Sequence, residues 1–239
     1  MIKVLIADDH DIVRQGFALV LKEFSDIQLT GEAHSGEQAV KLARENQPDV
    51  VLMDVRMPGI GGLAATKKIL KSNPSVKVIG LSGYNDGAYP NMFVRAGGSG
   101  YLTKYADAKE IAKAVRQVHN GQIYLDGHVR DQIDKKTWDG AENRFNELSD
   151  RELQVATLIA ECYRPVDIAK RLNLGVASVN SYLIRIYEKL GVHSDVELTL
   201  LALRCNMITP QGFSDADIAR LAEIESEIDI RSDKETKKD

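Results

Sequence analysis

Five short apolar runs punctuate the first half of the chain, at Ile2–Ala7, Ile27–Ala33, Val50–Met53, Val76–Leu81 and Gly100–Leu102. They recur at about 25-residue spacing and alternate with segments of helical period such as Ile111, Ala114, Val115 and Val118. A run with no polar alternation belongs to a strand covered on both faces, and strands that alternate with helices form a parallel sheet clothed by those helices. The pattern therefore predicts an α/β doubly wound fold, whose ligand site lies at the carboxyl ends of the strands.

Those ends carry a distinctive set of side chains. Asp8 and Asp9 close the first run, Asp54 the third and Ser82 the fourth, while Lys104 follows the fifth. In a parallel sheet all of them converge on one edge. Clustered carboxylates repel one another and call for a hard divalent cation, for which magnesium is the natural candidate. Phosphoryl transfer needs an oxygen nucleophile, a metal across the phosphoryl oxygens, and further groups for the remaining oxygens. Asp54, Asp9, Lys104 and Ser82 fit those roles. Asp54-Val55-Arg56-Met57-Pro58-Gly59 also sets a turn directly after the third strand.

On these motifs residues 1–120 resemble the receiver domain of response regulators, a flavodoxin-like (βα)5 fold. The resemblance implies phosphorylation of Asp54 by a sensor histidine kinase. It implies a magnesium site from Asp8, Asp9, Asp54 and the backbone carbonyl of Arg56, and phosphoryl-binding and switch roles for Ser82, Tyr101 and Lys104. Receivers usually carry proline after the lysine; here Tyr105 stands, a departure that bears on the local turn and not on the chemistry.

After Gly121 the periodicity fades, so 1–121 is expected to be the receiver and 122–144, which holds the single tryptophan Trp138, a linker. From Leu148 the pattern is helical. Ser149-Asp150-Arg151-Glu152 has the form of a capping box, Pro165 suits a first helical turn, and Gly175 and Gly191 mark breaks. Three helices are expected between 149 and 190 and a fourth over Val196–Arg204. In the third, Val179, Tyr182 or Leu183, Ile186 and Leu190 recur on one face. The motifs around Leu148–Val155, Asp167–Leu172 and Ser178–Tyr182 resemble the LuxR-type helix-turn-helix of the NarL/FixJ subfamily, placing a small all-α domain at 145–208. Met1–Val4, Val50–Gly62, Gly100–Lys104 and Tyr187–Leu201 resemble its GacA/UvrY/LetA group, whose regulators take phosphate from a hybrid sensor histidine kinase.

That resemblance implies binding of double-stranded promoter DNA by a homodimer formed on activation. Ser178, Asn180, Ser181 and Ile184 would face base edges, Arg185 a guanine or a phosphate, and Lys170, Arg171 and Lys189 phosphates. Val196, Leu200 and Leu203 would form the dimer contact. It also implies activation of genes for small regulatory RNAs. Ala177 and Ile184 stand where the family often has basic residues, which points to weak affinity per monomer.

Composition narrows the rest. The net charge of −4 lies in residues 206–239, with 5 Lys and Arg against 9 Asp and Glu, so DNA contact must come from local placement rather than bulk charge. Residues 209–239 are expected to form a short helix followed by disorder. Cys162 and Cys205 lack metal-ligand spacing and are read as packing residues. No apolar run approaches the roughly 20 residues of a membrane span, so a cytoplasmic protein is expected. An aspartyl-phosphate enzyme of the haloacid-dehalogenase type would place a second aspartate two residues after the nucleophile, where Arg56 stands, and no enzyme activity is expected. A phosphorylation-independent adaptor would have no use for the full acidic set.

Overall fold

The computed structural model describes residues 1–83, 89–127, 144–145, 147–205 and 207–208. The first domain is a parallel sheet in the order β2-β1-β3-β4-β5-β6. Its strands are β1 (Ile2–Ala7), β2 (Ile27–Ala33), β3 (Val50–Asp54), β4 (Lys77–Ser82), β5 (Gly100–Thr103) and β6 (Tyr124–Leu125). Helices α1 (Asp11–Lys22), α2 (Gly36–Asn46), α3 (Gly61–Ser72), α4 (Tyr89–Arg95) and α5 (Ala108–His119) link successive strands. Strand order reverses between β1 and β3, and in such a sheet the crevice at that reversal is the ligand site.

Alternate residues of each strand serve opposite faces, and so two cores form. Val4, Ile6, Val50 and Leu52 pack with Phe17 and Leu21 of α1 and Val115 and Val118 of α5. Leu5, Ala7, Val51 and Met53 pack with Ala39, Leu63, Ile69 and Phe93 from α2, α3 and α4. Ser35 and Asp107 cap α2 and α5 by accepting from the third residue of each helix.

The five sequence-predicted strands stand where expected, within one residue at their ends. The sixth was not anticipated: Tyr124 and Leu125, inside the expected linker, pair with Gly100 and Tyr101. Tyr124 is buried and its hydroxyl donates to Glu110 Oε1 at 2.9 Å. Trp138 and the expected tail helix at 209–239 lie outside the described residues.

The second domain has α6 (Asp150–Ala160), α7 (Pro165–Arg171), α8 (Val176–Leu190) and α9 (Asp195–Arg204). The capping box forms in full, Ser149 Oγ accepting from Glu152 N and Glu152 Oε2 from Ser149 N. Gly191 ends α8 in the left-handed region at φ 66°. Of the two candidates on α8, Leu183 is the core residue and Tyr182 is half-buried. Cys205 is buried, but Cys162 is exposed at φ 65° and is not the packing residue the sequence suggested. No helix among the described residues is long and apolar enough to cross a membrane.

At the base of α3, a Cβ on Gly62 would collide with the backbone carbonyl oxygen of Asp54. Only glycine lets the helix approach the end of β3 this closely while Gly62 N donates to Val55 O at 3.2 Å. Gly62→Ala is therefore expected to cost about 1–3 kcal/mol in urea unfolding, by overpacking against backbone that cannot move aside. A stability equal to wild type would mean that this approach is not tight.

Candidate functional site

The β1, β3 and β5 ends bring Asp8, Asp9, Asp54 and Lys104 together as the alternation of strands and helices predicted. Asp8 and Asp54 are buried, 0% and 2% exposed, and Lys104 Nζ lies 2.8 Å from both Asp8 Oδ2 and Asp54 Oδ2. The lysine bridges two carboxylates that would otherwise repel each other in a poorly solvated crevice. Burial pushes the Asp54 carboxyl up from 3.8 to about 6, with Lys104 pulling it back and Asp8 adding to the rise. Burial also depresses Lys104, but the attraction of Asp54 and Asp8 outweighs it and holds the ammonium above its ordinary value.

Ligand oxygens of Asp8, Asp9 and Asp54 and a ring nitrogen of His10 all lie within 4.8 Å of one another. Asp8 Oδ2 and Asp9 Oδ1 are buried without a hydrogen bond; what faces them is Lys104 Nζ and, 3.2 Å from Asp9 Oδ1, the His10 ring. Under-satisfied carboxylate oxygens at a common point fit a hard divalent cation. His10 was missed in the sequence, where its one signal was adjacency to the acidic pair.

The remaining receiver residues surround this point. Ser82 is buried at the end of β4, its hydroxyl donating to Gly83 O at 2.9 Å. Lys104 N donates to Ser82 O at 2.6 Å, tying the two together through backbone. Tyr101 is fully buried, its ring edge-on to Phe93 at 5.6 Å and lying over Gly80. Arg56 N donates to Asp54 Oδ1 at 3.0 Å. Its guanidinium points away, toward the helical domain, where it pairs with Glu161.

On α8, Ser178, Asn180, Ser181, Ile184 and Arg185 are all exposed, as are Lys170, Arg171 and Lys189. Three of these cations, Lys189, Arg185 and Arg171, have structural partners that the sequence did not reveal. Lys189 Nζ lies 2.7 Å from Glu152 Oε2 and Arg185 Nε 3.4 Å from Glu152 Oε1, so the buried cap of α6 pins α8. Ser181 Oγ donates to Ala177 O, and Arg171 lies 5.5 Å over the Tyr163 ring. Asn180, Ile184 and Lys170 carry the open polar and apolar surface. Of the expected dimer residues Val196 is 64% exposed, whereas Leu200 is buried within the single chain and Leu203 is half-buried against the core, so two of the three present little free surface.

The raised Asp54 value has a sign. Folded Asp54 holds its proton more tightly than the unfolded chain, so its contribution to stability is full below pH 3.8 and is lost as pH rises toward about 6. In chelator at pH 7.5, Asp54→Asn is expected to be more stable than wild type by on the order of 1–3 kcal/mol, and the difference should shrink as pH falls to about 4. A pH-independent difference would contradict the buried, charged Asp54.

Comparison with known proteins agrees with this geometry. Residues 4–116 match the response regulator receiver domain family and 146–202 the bacterial regulatory proteins of the luxR family. The chain is 45% identical to the response regulator GacA of Pseudomonas aeruginosa, over 87% of this chain and 98% of the relative. It is 43% identical to the response regulator UvrY of Escherichia coli K12 over the same shares. Among solved structures it resembles RcsB from Salmonella enterica serovar Typhimurium bound to promoter rprA in the presence of the phosphomimetic BeF3−. There the TM-score is 0.60 with 25% identity, covering 84% of this chain and 97% of that one. A structure of two RcsB dimers bound to two parallel DNAs matches with TM-score 0.55 and 26% identity, covering 87% and 99%. The chain belongs to the two-component response regulators of the GacA/UvrY type, phosphorylation-dependent transcriptional regulators with a LuxR-type DNA-binding domain rather than catalytic enzymes.

Proposed function

We propose that Asp54 accepts a phosphoryl group from a hybrid sensor histidine kinase in the cytoplasm, and that the phosphorylated protein binds promoter DNA as a homodimer and activates genes for small regulatory RNAs. The observation that carries the reading is the buried Asp54 carboxylate with Asp8, Asp9 and Lys104 converging on it. Asp8, Asp9, Asp54 and the Arg56 carbonyl would hold magnesium, which when bound supplies the positive charge that lets an anionic phosphoryl group approach the acidic cluster.

In this reading Asp54 is the nucleophile. Lys104, freed from Asp8 and Asp54, pairs with a phosphoryl oxygen, and Ser82 turns its hydroxyl from the Gly83 carbonyl to another. Tyr101 is the aromatic whose packing against Phe93 reports the change, a shift between two states biased by the new charge. The regulator enters the major groove with α8, Asn180, Ser178, Ser181 and Ile184 at base edges, and Lys170, Arg171, Arg185 and Lys189 toward phosphates. Val196, with Leu200 and Leu203 behind it, marks the side of α9 on which two copies meet. The receiver spans 1–121, with its sheet extended by β6 from the start of the linker, and the DNA-binding domain 145–208.

Acetyl phosphate with magnesium is expected to add one phosphoryl group by intact mass, and Asp54→Asn to abolish it. Labelling that persists in that variant would remove Asp54 from its role. On DNA, Lys170→Ala is expected to weaken binding to all sequences alike and to lower the salt slope by about one counterion. Asn180→Ala should instead cost about 1–3 kcal/mol at matched sites only. Salt-titrated binding curves on matched and scrambled duplexes separate the two, and unchanged curves for both variants would rule out α8 as the reading element.

A further inference from the structure

The loop after the phosphoacceptor, residues 55–60, is gripped by the DNA-binding domain. Arg151, Gln154 and Glu161 sit along α6 and at its end, three and seven residues apart. Glu161 pairs with the Arg56 guanidinium. Arg151 Nη1 and Gln154 Nε2 both donate to the Gly59 carbonyl, the latter at 3.2 Å. The Arg56 side chain also lies 5.8 Å over the Tyr89 ring, and the Tyr89 hydroxyl meets Thr157 Oγ1 of α6 at 2.9 Å in a buried contact.

The same Arg56 has its backbone N–H on Asp54 Oδ1 at 3.0 Å. One residue thus touches the phosphoacceptor with its main chain and the output domain with its side chain. Apolar packing joins the two walls as well, since Met57 and Leu63 share one buried cluster with Leu153 and Leu158, beside a cavity that Ile60 also lines. The polar points add direction to this non-directional packing. The Arg56 and Glu161 side chains are 35% and 27% exposed, so their attraction is only partly screened. A fifth interdomain pair, Lys67 Nζ to Asp150 Oδ1 at 2.7 Å, involves the exposed side of α3 and does not touch the loop.

We propose that Glu161 is a positioning residue for phosphoryl acceptance, acting through Arg56: with Arg151 and Gln154 it holds the loop in the arrangement of the unloaded site, so that the docked DNA-binding domain sets how readily Asp54 is loaded. This rests on the reading of Asp54 as phosphoacceptor. Loading places a phosphoryl group on the carboxylate that the Arg56 N–H now holds, so this stretch of loop must adjust, and a restrained loop opposes the adjustment. Coupling of this kind is reciprocal, so a loaded Asp54 loosens the grip on α6 to the same extent.

The test is titration of the full chain with beryllofluoride and magnesium, followed by 19F NMR of the bound fluoride. Glu161→Gln is expected to bind about 2- to 30-fold tighter than wild type, whereas Lys67→Ala, which weakens docking away from the loop, should stay within about twofold of wild type. Equal affinity of Glu161→Gln and wild type overturns the proposal, and so does an equal gain in Lys67→Ala, which would make any undocking sufficient. Should Glu161→Gln fail to melt as a folded protein, Gln154→Ala takes its place with the same expected gain, and unchanged binding there overturns the proposal. A wild type that binds no beryllofluoride would instead remove the phosphoacceptor reading itself.

Discussion

The bridge made by Lys104 between Asp8 and Asp54 is the interaction on which the receiver depends. Two carboxylates at the reversal of a parallel sheet cannot both stay charged in a crevice with little water unless a cation stands between them. The lysine supplies that cation in the unloaded protein, and its backbone ties it to Ser82 at the end of β4. On the proposed function, the bridge fills the place that a metal and a phosphoryl group would take. Loading would then exchange one cation for another and make the displaced ammonium available to the incoming anion.

The consequence reaches beyond the receiver because the loop leaving Asp54 is shared. Gly62 lets α3 sit against the end of β3, the intervening residues form a tight turn at Gly59 and Gly61, both in the left-handed region, and the outer edge of that turn meets α6. Chemistry and output are separated by a few residues of main chain. No long path of small displacements is required; a two-state turn that both sites bias is enough to carry coupling.

Much of this was legible in the sequence, and for identifiable reasons. Apolar runs without alternation located β1 to β5, because strands buried on both faces leave that mark. The acidic residues were placed correctly because a parallel sheet sends every strand end to one edge. Ser149 and Glu152 announced the start of α6 through a local hydrogen-bond pattern. What escaped was either too short or too distant: β6 has two residues, too few for any period, and Arg56 and Glu161 are 105 positions apart. Glu152 could be read as a cap, but its hold on Lys189 and Arg185 comes only from the packing of α6 on α8.

The central claim is that the state of Asp54 and the docking of α6 are one equilibrium. Hydrogen–deuterium exchange of the full chain, with and without magnesium beryllofluoride, tests it most directly. The account predicts that residues 55–62 and the amides of 150–161 change exchange together, over the same range of beryllofluoride concentration. A change confined to 55–62, with 150–161 unaltered at saturation, would contradict it.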